Sequence, residues 1–190
     1  MKFKLPHQFT FLYFFCMVSS FNCQIKGSLK GLTSNRMELN KFKINIIDSN
    51  HYQCESSVTK KNKIFIVNGI DIKYCISKLT KVLVYIWRPN CKSKSCIELE
   101  LLQSFCDKYT IELFIVAEYF DYTKMNKQYL IERPIFGIDT YYYKTDFTKK
   151  YLTGFLRDLI HRDFTYKESQ FYYFENAYFI KEMSQLEELN

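Results

Sequence analysis

The segment Lys81–Tyr109, KVLVYIWRPNCKSKSCIELELLQSFCDKY, decides the fold that the sequence predicts. Its opening run Val82–Trp87 is continuously apolar, which is typical of a strand covered on both faces of a sheet. Pro89 ends this strand because proline has no N–H to donate to the ladder. Cys91 and Cys96 follow in a short loop. The segment therefore predicts a buried strand whose carboxyl end delivers two cysteines to the start of a helix.

The rest of the segment has the pattern of an amphipathic helix. Apolar side chains recur at i, i+3, i+7 and i+10, at Leu99, Leu102, Cys106 and Tyr109. Ser95 and Glu98 have the spacing of a capping box, in which two side chains bond the first free N–H groups of a helix. Because Cys106 lies on the apolar face, we expect it to be a core residue.

Similar patterns on both sides of this segment predict the other elements. Apolar runs and helical spacing indicate two strands and two helices, at Ile64–Val67, Gly69–Leu79, Ile111–Phe120 and Phe147–Ile160. Gln170–Phe174 and Tyr178–Glu182 read as a hairpin turned at Asn176, a residue that tolerates the left-handed conformation. A strand, a helix and a strand in succession imply a parallel pair with a right-handed crossover. The predicted fold class is α/β, with a mixed central sheet, flanking helices and a C-terminal antiparallel hairpin.

Some segments have weaker patterns. Leu39–Ile47 alternates apolar and polar residues, which favours a strand. Tyr122–Glu132 is polar and indicates a short helix, and Arg133–Ile138 indicates a strand entry or a turn. Met183–Asn190 is long enough for two helical turns. We interpret Tyr141–Tyr143 as a partly buried aromatic strand, with a peptide-docking platform as the alternative.

The N-terminus has the pattern of an export signal. Lys2 and Lys4 precede the ten-residue apolar run Phe9–Val18, which is too short to span a bilayer and suits a secretory leader. Cys23 follows small residues and resembles the acylated first residue of a bacterial lipoprotein, with ordinary leader cleavage as the alternative. We therefore predict a signal peptide over 1–22, an extension over 23–62 and a domain over 63–190. The expected location is the cell envelope, lipid-anchored and facing the periplasm or the cell exterior.

Composition excludes several classes of protein. Apolar residues make up 47% of the 190 residues, which is typical of one folded domain rather than a disordered chain. Without the leader, 25 Lys and Arg stand against 20 Asp and Glu, a net charge of +5. This charge is too small and too evenly scattered for a nucleic-acid surface. His51 and His161 lie in unrelated segments, so we expect no metal site, and no nucleotide or other cofactor motif is found.

The cysteine count suggests both bonded and free thiols. Beyond Cys23 the chain has five, at Cys54, Cys75, Cys91, Cys96 and Cys106, so at least one stays unpaired within the molecule. Cys75 lies on the apolar stripe of its predicted helix, which favours inert packing.

Val82–Trp87 followed by Arg88-Pro89-Asn90-Cys91 resembles the strand, tryptophan and first cysteine of thioredoxin-like proteins, particularly exported and membrane-tethered ones. The ENAYF hairpin is similar to the terminal hairpin of that family, and the likeness covers about residues 63–185. The resemblance implies a thiol–disulfide oxidoreductase in which Cys91 attacks and Cys96 resolves. Its partners would be proteins with cysteines or disulfides, and the membrane through the lipid. Arg88, Lys92 and Lys94 and the nearby helix N-terminus are expected to lower the pKa of the attacking thiol.

Two features depart from that family. Four residues separate the cysteines instead of two, and a helix with 1.5 Å rise would set them about 7.5 Å apart along its axis. A disulfide therefore requires Lys92–Ser95 to loop out before the helix begins. Ser169 also occupies the position where the family has a cis-proline. A redox-inactive thioredoxin-like binding module is therefore an alternative.

A second resemblance gives another alternative. Pro89, Ser93 and Cys96 have the spacing of the peroxiredoxin active-site pattern. This reading makes Cys96 the peroxide-attacking thiol, with Ser93 hydrogen-bonding the peroxide oxygens and Arg157 or Arg162 lowering the pKa of the thiol.

Overall fold

The computed structural model describes residues 31–36, 45–48, 54, 63–93, 96–125, 131–160 and 169–189. Its strands form one mixed sheet in the order β1-β2-β5-β4-β3-β6-β7. They are β1 (Asn45–Asp48), β2 (Lys63–Val67), β3 (Lys81–Trp87), β4 (Glu112–Ala117), β5 (Ile135–Ile138), β6 (Phe171–Glu175) and β7 (Tyr178–Met183). The predicted α/β class and mixed sheet are confirmed.

The sheet has a parallel part and an antiparallel part. β1, β2, β5, β4 and β3 are mutually parallel, so their carboxyl ends meet at one edge of the sheet. β6 runs antiparallel to β3, pairing Tyr85 with Phe171, and β7 completes the predicted C-terminal hairpin. Asn176 and Ala177 turn that hairpin at φ values of 49° and 70°, as expected for a left-handed two-residue turn.

Helices cover both faces of the sheet. They are α1 (Gly69–Ile76), α2 (Leu99–Lys108), α3 (Tyr122–Met125) and α4 (Thr148–Ile160), followed by a 3-10 turn at Leu186–Leu189. α1 begins at a capping box, in which Asn68 Oδ1 accepts from the Asp71 N–H at 3.0 Å and the Asp71 carboxylate accepts from the Asn68 N–H at 2.9 Å. These bonds satisfy two N–H groups that the start of a helix would leave free.

The alternation of side chains along the strands produces two hydrophobic cores. Val82, Val84 and Ile86 of β3 face α1 and α4, whereas Leu83 and Tyr85 face α2 and α3. All five are at most 2% exposed. Burying such a side chain contributes roughly 1.5–3 kcal/mol, which is why β3 reads as an unbroken apolar run.

Several predicted elements differ from the structure. β5 is a full member of the sheet between β2 and β4, where the sequence indicated only a strand entry or a turn. α1 ends at Ile76, three residues before the predicted Leu79. Tyr141 and Tyr142 are exposed in a turn after β5, so the interpretation of Tyr141–Tyr143 as a strand is wrong.

The extension before residue 63 contributes to the domain. β1 overlaps the strand predicted over Leu39–Ile47, of which 39–44 lie outside the described residues. Residues Gly31–Arg36, which we call the N-terminal strap, contact the carboxyl edge of the sheet: the Ser34 N–H donates to the Asp146 carbonyl at 3.0 Å, and the Phe120 N–H donates to the Ser34 carbonyl at 2.8 Å.

The leader 1–22 and Cys23 lie outside the described residues. Within the described ranges, no helix has both the length and the apolar character needed to cross a membrane.

Candidate functional site at the carboxyl edge

The loop after β3 carries the two cysteines that the sequence singled out. β3 ends at Trp87, Pro89 is buried, and the loop continues to the start of α2 at Leu99. The Cys91 N–H donates to the Arg88 carbonyl at 3.1 Å, and the Cys96 N–H donates to the Ser93 carbonyl at 3.1 Å. These turns fold the loop back on itself instead of extending it along a helix.

Cys91 and Cys96 are joined by a disulfide. Their Cα atoms are 6.0 Å apart, within the range that a disulfide bridges. Neither cysteine belongs to α2, which begins at Leu99, and Lys94 and Ser95 of the predicted loop-out lie outside the described residues. Ser93 Oγ lies 3.4 Å from Cys91 Sγ and 3.1 Å from Cys96 Sγ, so its hydroxyl contacts both sulfurs. Both cysteines are half-buried, and Lys92 and Ser93 are exposed.

The predicted capping box at Ser95 and Glu98 is wrong. Glu98 is itself the N-cap of α2, and its side chain makes no capping hydrogen bond. Since the helix dipole acts mainly within the first turn, its effect on Cys91 is smaller than the sequence suggested.

The charges around the loop differ from those counted in the sequence. The Arg88 Nε is 3.1 Å from a carboxylate oxygen of Glu118, so this cation faces an acid that follows β4. Lys92 is exposed, and Lys94 lies outside the described residues. The lowering of the Cys91 pKa by Arg88, Lys92 and Lys94 stays a prediction.

Asn90 anchors the loop beside Cys91. Its side-chain amide donates to a carboxylate oxygen of Asp121 at 2.6 Å, and its backbone N–H donates to the Tyr119 hydroxyl at 3.2 Å. The other carboxylate oxygen of Asp121 accepts from the Thr123 hydroxyl at 2.6 Å. Asp121 is only 3% exposed, so these bonds offset the cost of burying its carboxylate.

The sequence analysis missed these acidic partners. Glu118, Tyr119 and Asp121 directly follow β4, which pairs in parallel with β3. The carboxyl ends of neighbouring parallel strands lie at the same edge of a sheet. That rule, applied to the end of the predicted strand Ile111–Phe120, was the available signal.

Tyr85 supports the other end of the loop. Its ring stacks on Phe171 with centroids 4.7 Å apart. Burial raises the pKa of Tyr85 to about 12, an effect partly offset by a hydrogen bond from the Ile97 backbone and by the charge of Arg88. Ile97, the residue after Cys96, is thus hydrogen-bonded through its backbone to the buried, neutral hydroxyl of Tyr85.

Ser169 and Gln170 lie beside the end of β3. The Ile86 N–H donates to the Gln170 carbonyl at 2.8 Å, which places the segment before β6 at the same edge as the cysteines. Ser169 directly precedes Gln170 in this segment, and its correspondence to the cis-proline of the thioredoxin-like family stays a prediction. Gln170 is 2% exposed, and its side-chain amide has no hydrogen-bond partner among the residues that the structure describes.

A second disulfide joins Cys54 to Cys75, with Cα atoms 5.2 Å apart. The interpretation of Cys75 as an inert packing thiol is therefore wrong, although its 1% exposure does place it in the core. Cys106 is the one free cysteine among the described residues, it is fully buried, and burial raises the pKa of its thiol to about 12. Its predicted place in the core is confirmed.

Arg157 is not brought to this edge. Arg157 is exposed on α4, across the sheet from α2, while Arg162, His51 and His161 lie outside the described residues. Over the ranges that the structure describes, no three His, Cys, Asp or Glu side chains are grouped closely enough to hold a metal ion. Comparison with protein-family models, characterised proteins and solved structures gave no match.

Proposed function

We propose that the chain is an exported thioredoxin-like protein that acts as a thiol–disulfide oxidoreductase through Cys91 and Cys96. The observation that carries the proposal is the Cys91–Cys96 disulfide in a half-buried loop at the carboxyl edge. Ligands of open α/β sheets bind at this edge. A disulfide that another thiolate can reach is the kind that exchanges, whereas core disulfides resist reduction.

The topology around the loop supports a thioredoxin-like fold. β3 and β4 form a parallel pair joined through α2, and the antiparallel β6–β7 hairpin lies next to β3. The thioredoxin fold requires both features. β5 adds a parallel strand between β2 and β4.

The reaction proceeds by two exchanges. The thiolate of reduced Cys91 attacks one sulfur of a client disulfide, forming a Cys91–client disulfide and releasing the other client sulfur as a thiolate. The Cys96 thiolate then attacks the Cys91 sulfur and releases the second client thiolate. The client gains two electrons, the cysteine pair loses two and re-forms its disulfide, and an external dithiol returns them. The same steps in reverse oxidise a client dithiol.

The test is an insulin-reduction assay with dithiothreitol as the electron source. Cys91→Ser removes the attacking thiolate, so we expect the rate above background to be lost. Cys106→Ala is the matched control, because it removes a buried thiol that does not reach solvent, and it should keep the parent rate. Equal rates for Cys91→Ser and the parent chain would exclude the proposal.

Export and lipid attachment belong to the same proposal. The leader and Cys23 support them. Palmitate labelling of the expressed chain should be lost in Cys23→Ala, and labelling that persists there would exclude Cys23 as the attachment site.

One observation favours a redox-inactive binding module instead. α2 begins at Leu99, so neither cysteine lies in the first turn of a helix, and thiolate stabilisation by the dipole is weakened. In that case the Cys91–Cys96 disulfide only holds the loop. The parent chain and the Cys91→Ser variant would then both reduce insulin at the background rate.

Another observation favours a peroxidase. Ser93 Oγ lies 3.1 Å from Cys96 Sγ, so its hydroxyl is close enough to bond a peroxide oxygen that this sulfur attacks. Peroxide consumption that disappears in Cys96→Ser but persists in Cys106→Ala would support this function over disulfide exchange.

A further inference from the structure

Exposed apolar side chains concentrate at one edge of the molecule. Ten large hydrophobic side chains are exposed among the described residues, and five of them lie at the carboxyl edge: Leu32, Ile70, Tyr141, Tyr142 and Phe147. Tyr141 is 73% exposed and Phe147 55%. Scattered exposed hydrophobic residues are ordinary, but a group at one edge marks an interaction surface.

The N-terminal strap holds this group in place. The Thr148 N–H donates to the Leu32 carbonyl at 3.0 Å, and the Ser34 hydroxyl donates to the Asp146 carboxylate. The Arg36 guanidinium lies 3.8 Å from the centroid of the Tyr141 ring. The exposed side chains therefore project from two bonded segments rather than from a free end.

The same surface is basic. Lys144, Lys149 and Lys150 are exposed there, and Lys150 Nζ lies 5.5 Å from the Phe147 ring centroid. Two acids lie in residues 139–150, and both contact the N-terminal strap. Asp139 forms an ion pair with Arg36 at 3.2 Å, and the Asp146 carboxylate accepts a hydrogen bond from the Ser34 hydroxyl. Over residues 31–36 and 139–150, four cations therefore stand against two acids, and Arg36 and Lys150 lie beside aromatic rings.

The strap also starts close to the predicted anchor. Gly31 follows Cys23 by eight residues, which span at most roughly 28 Å when fully extended. A lipid on Cys23 would therefore keep this edge within that distance of a bilayer.

We infer that these side chains form a docking surface for a membrane containing anionic lipids. The surface, which we call the aromatic–basic patch, consists of Leu32, Tyr141, Tyr142, Lys144, Phe147 and Lys150. Tyrosine rings favour the interface between headgroups and acyl chains. Lysine side chains are attracted to the negatively charged headgroups of anionic lipids. A single lipid chain binds a membrane only reversibly, and a basic patch adds the second interaction that makes the attachment stable.

Docking at this patch orients the cysteine loop. The strap contacts Tyr119, whose ring would lie 3.2 Å from a Cβ on Gly31, and the Tyr119 hydroxyl accepts from the Asn90 N–H beside Cys91. The loop thus lies at the edge that faces the bilayer. If the proposed function holds, the substrates within reach are disulfides of membrane proteins close to the bilayer surface.

The experiment is co-sedimentation with vesicles. A chain that begins at Gln24 retains every contact given above and lacks both the leader and Cys23, and its thermal melt verifies folding. We expect it to bind vesicles of phosphatidylglycerol and phosphatidylcholine in equal parts, more weakly as salt is added, and to bind phosphatidylcholine vesicles poorly. Tyr141→Ser and Lys150→Glu should each weaken binding by about tenfold or more.

Matched control variants lie at the opposite edge. Tyr178 is 75% exposed on β7, and Lys108 Nζ lies 5.3 Å from the Tyr109 ring centroid. Tyr178→Ser and Lys108→Glu should bind vesicles as the parent chain does. Equal losses in patch and control variants, equal binding to phosphatidylcholine, or no binding at all would overturn the inference. Cys91→Ser should bind like the parent, so failure of the redox proposal leaves this result intact.

Discussion

The two disulfides found among the described residues have the same covalent bond in contrasting surroundings. Cys54–Cys75 joins residues 21 apart: Cys54 is half-buried, and Cys75, a residue of α1 at 1% exposure, packs in the core that α1 and α4 cover. Cys91–Cys96 joins residues five apart in a half-buried loop. Exchange needs an attacking thiolate to reach a sulfur atom. The difference indicates that Cys54–Cys75 stabilises the fold, whereas Cys91–Cys96 is available for chemistry.

Removing each disulfide in turn should have the largest effect, and it tests whether Cys54–Cys75 stabilises the fold more than Cys91–Cys96 does. Loop-closure entropy assigns about 3 kcal/mol to a bridge across 21 residues and about 2 kcal/mol to one across five. The double variant Cys54→Ala/Cys75→Ala should therefore lose at least about 3 kcal/mol of unfolding free energy, because Cys75 also leaves a core cavity. Cys91→Ala/Cys96→Ala should lose about 2 kcal/mol or less.

Urea unfolding under oxidising conditions measures both costs. Each double variant removes two sulfur atoms, so the pair is matched in chemistry. A larger loss in Cys91→Ala/Cys96→Ala would show that the loop disulfide, and not the core one, is the main support of the fold.

A smaller effect should come from Asn90→Ala. The change removes a hydrogen bond to the buried Asp121 and should cost about 1–2 kcal/mol of unfolding free energy. The loop that carries Cys91 and Cys96 also loses the hydrogen bond that anchors it to Asp121. The Cys91–Cys96 disulfide should then be reduced at a lower dithiothreitol concentration, with Cys54–Cys75 unchanged.

Asn68→Ala is the control for this loosening. Asn68 caps α1, so its loss costs about 1 kcal/mol, and its hydrogen bonds are with Asp71 and Ile72 of that helix. If Asn68→Ala shifts reduction of Cys91–Cys96 as far as Asn90→Ala does, the anchoring role assigned to Asn90 is wrong.

The strands and the α2 helix could be predicted because local patterns specify them. Val82–Trp87 is apolar throughout since both of its faces are covered, and Leu102 and Cys106 repeat at helical spacing because one face of α2 is buried. The hairpin was readable for the same reason, since Asn176 provides the left-handed turn.

Long-range pairing could not be read in this way. β5 has four residues, and only its neighbours β2 and β4 decide that Ile135–Ile138 joins the sheet instead of forming a turn. The partner of Cys75 is equally invisible, because Cys54 lies in a segment without helical or strand periodicity. The capping-box pattern at Ser95 and Glu98 placed the start of α2 too early, since Glu98 is the N-cap and Cys96 is bonded to Cys91 outside the helix.

The sequence predicted the two cysteines of the candidate site but not the acidic residues around them. Cys91 and Cys96 were identified from position alone, but Glu118 and Asp121 reach the loop only through the parallel pairing of β3 and β4. The charges around the loop therefore depend on the fold. Counting the basic residues near Cys91 in the sequence left out the carboxylates of Glu118 and Asp121.

Graded reduction of the native chain tests the contrast between the two disulfides most directly. The protein is equilibrated with increasing dithiothreitol, quenched with iodoacetamide and mapped by mass spectrometry. Cys91 and Cys96 should become alkylated at a reductant concentration at least about tenfold below that needed for Cys54 and Cys75, with buried Cys106 unmodified throughout. Simultaneous reduction of both bridges, or earlier reduction of Cys54–Cys75, would contradict the assignment of Cys91–Cys96 as the reactive pair.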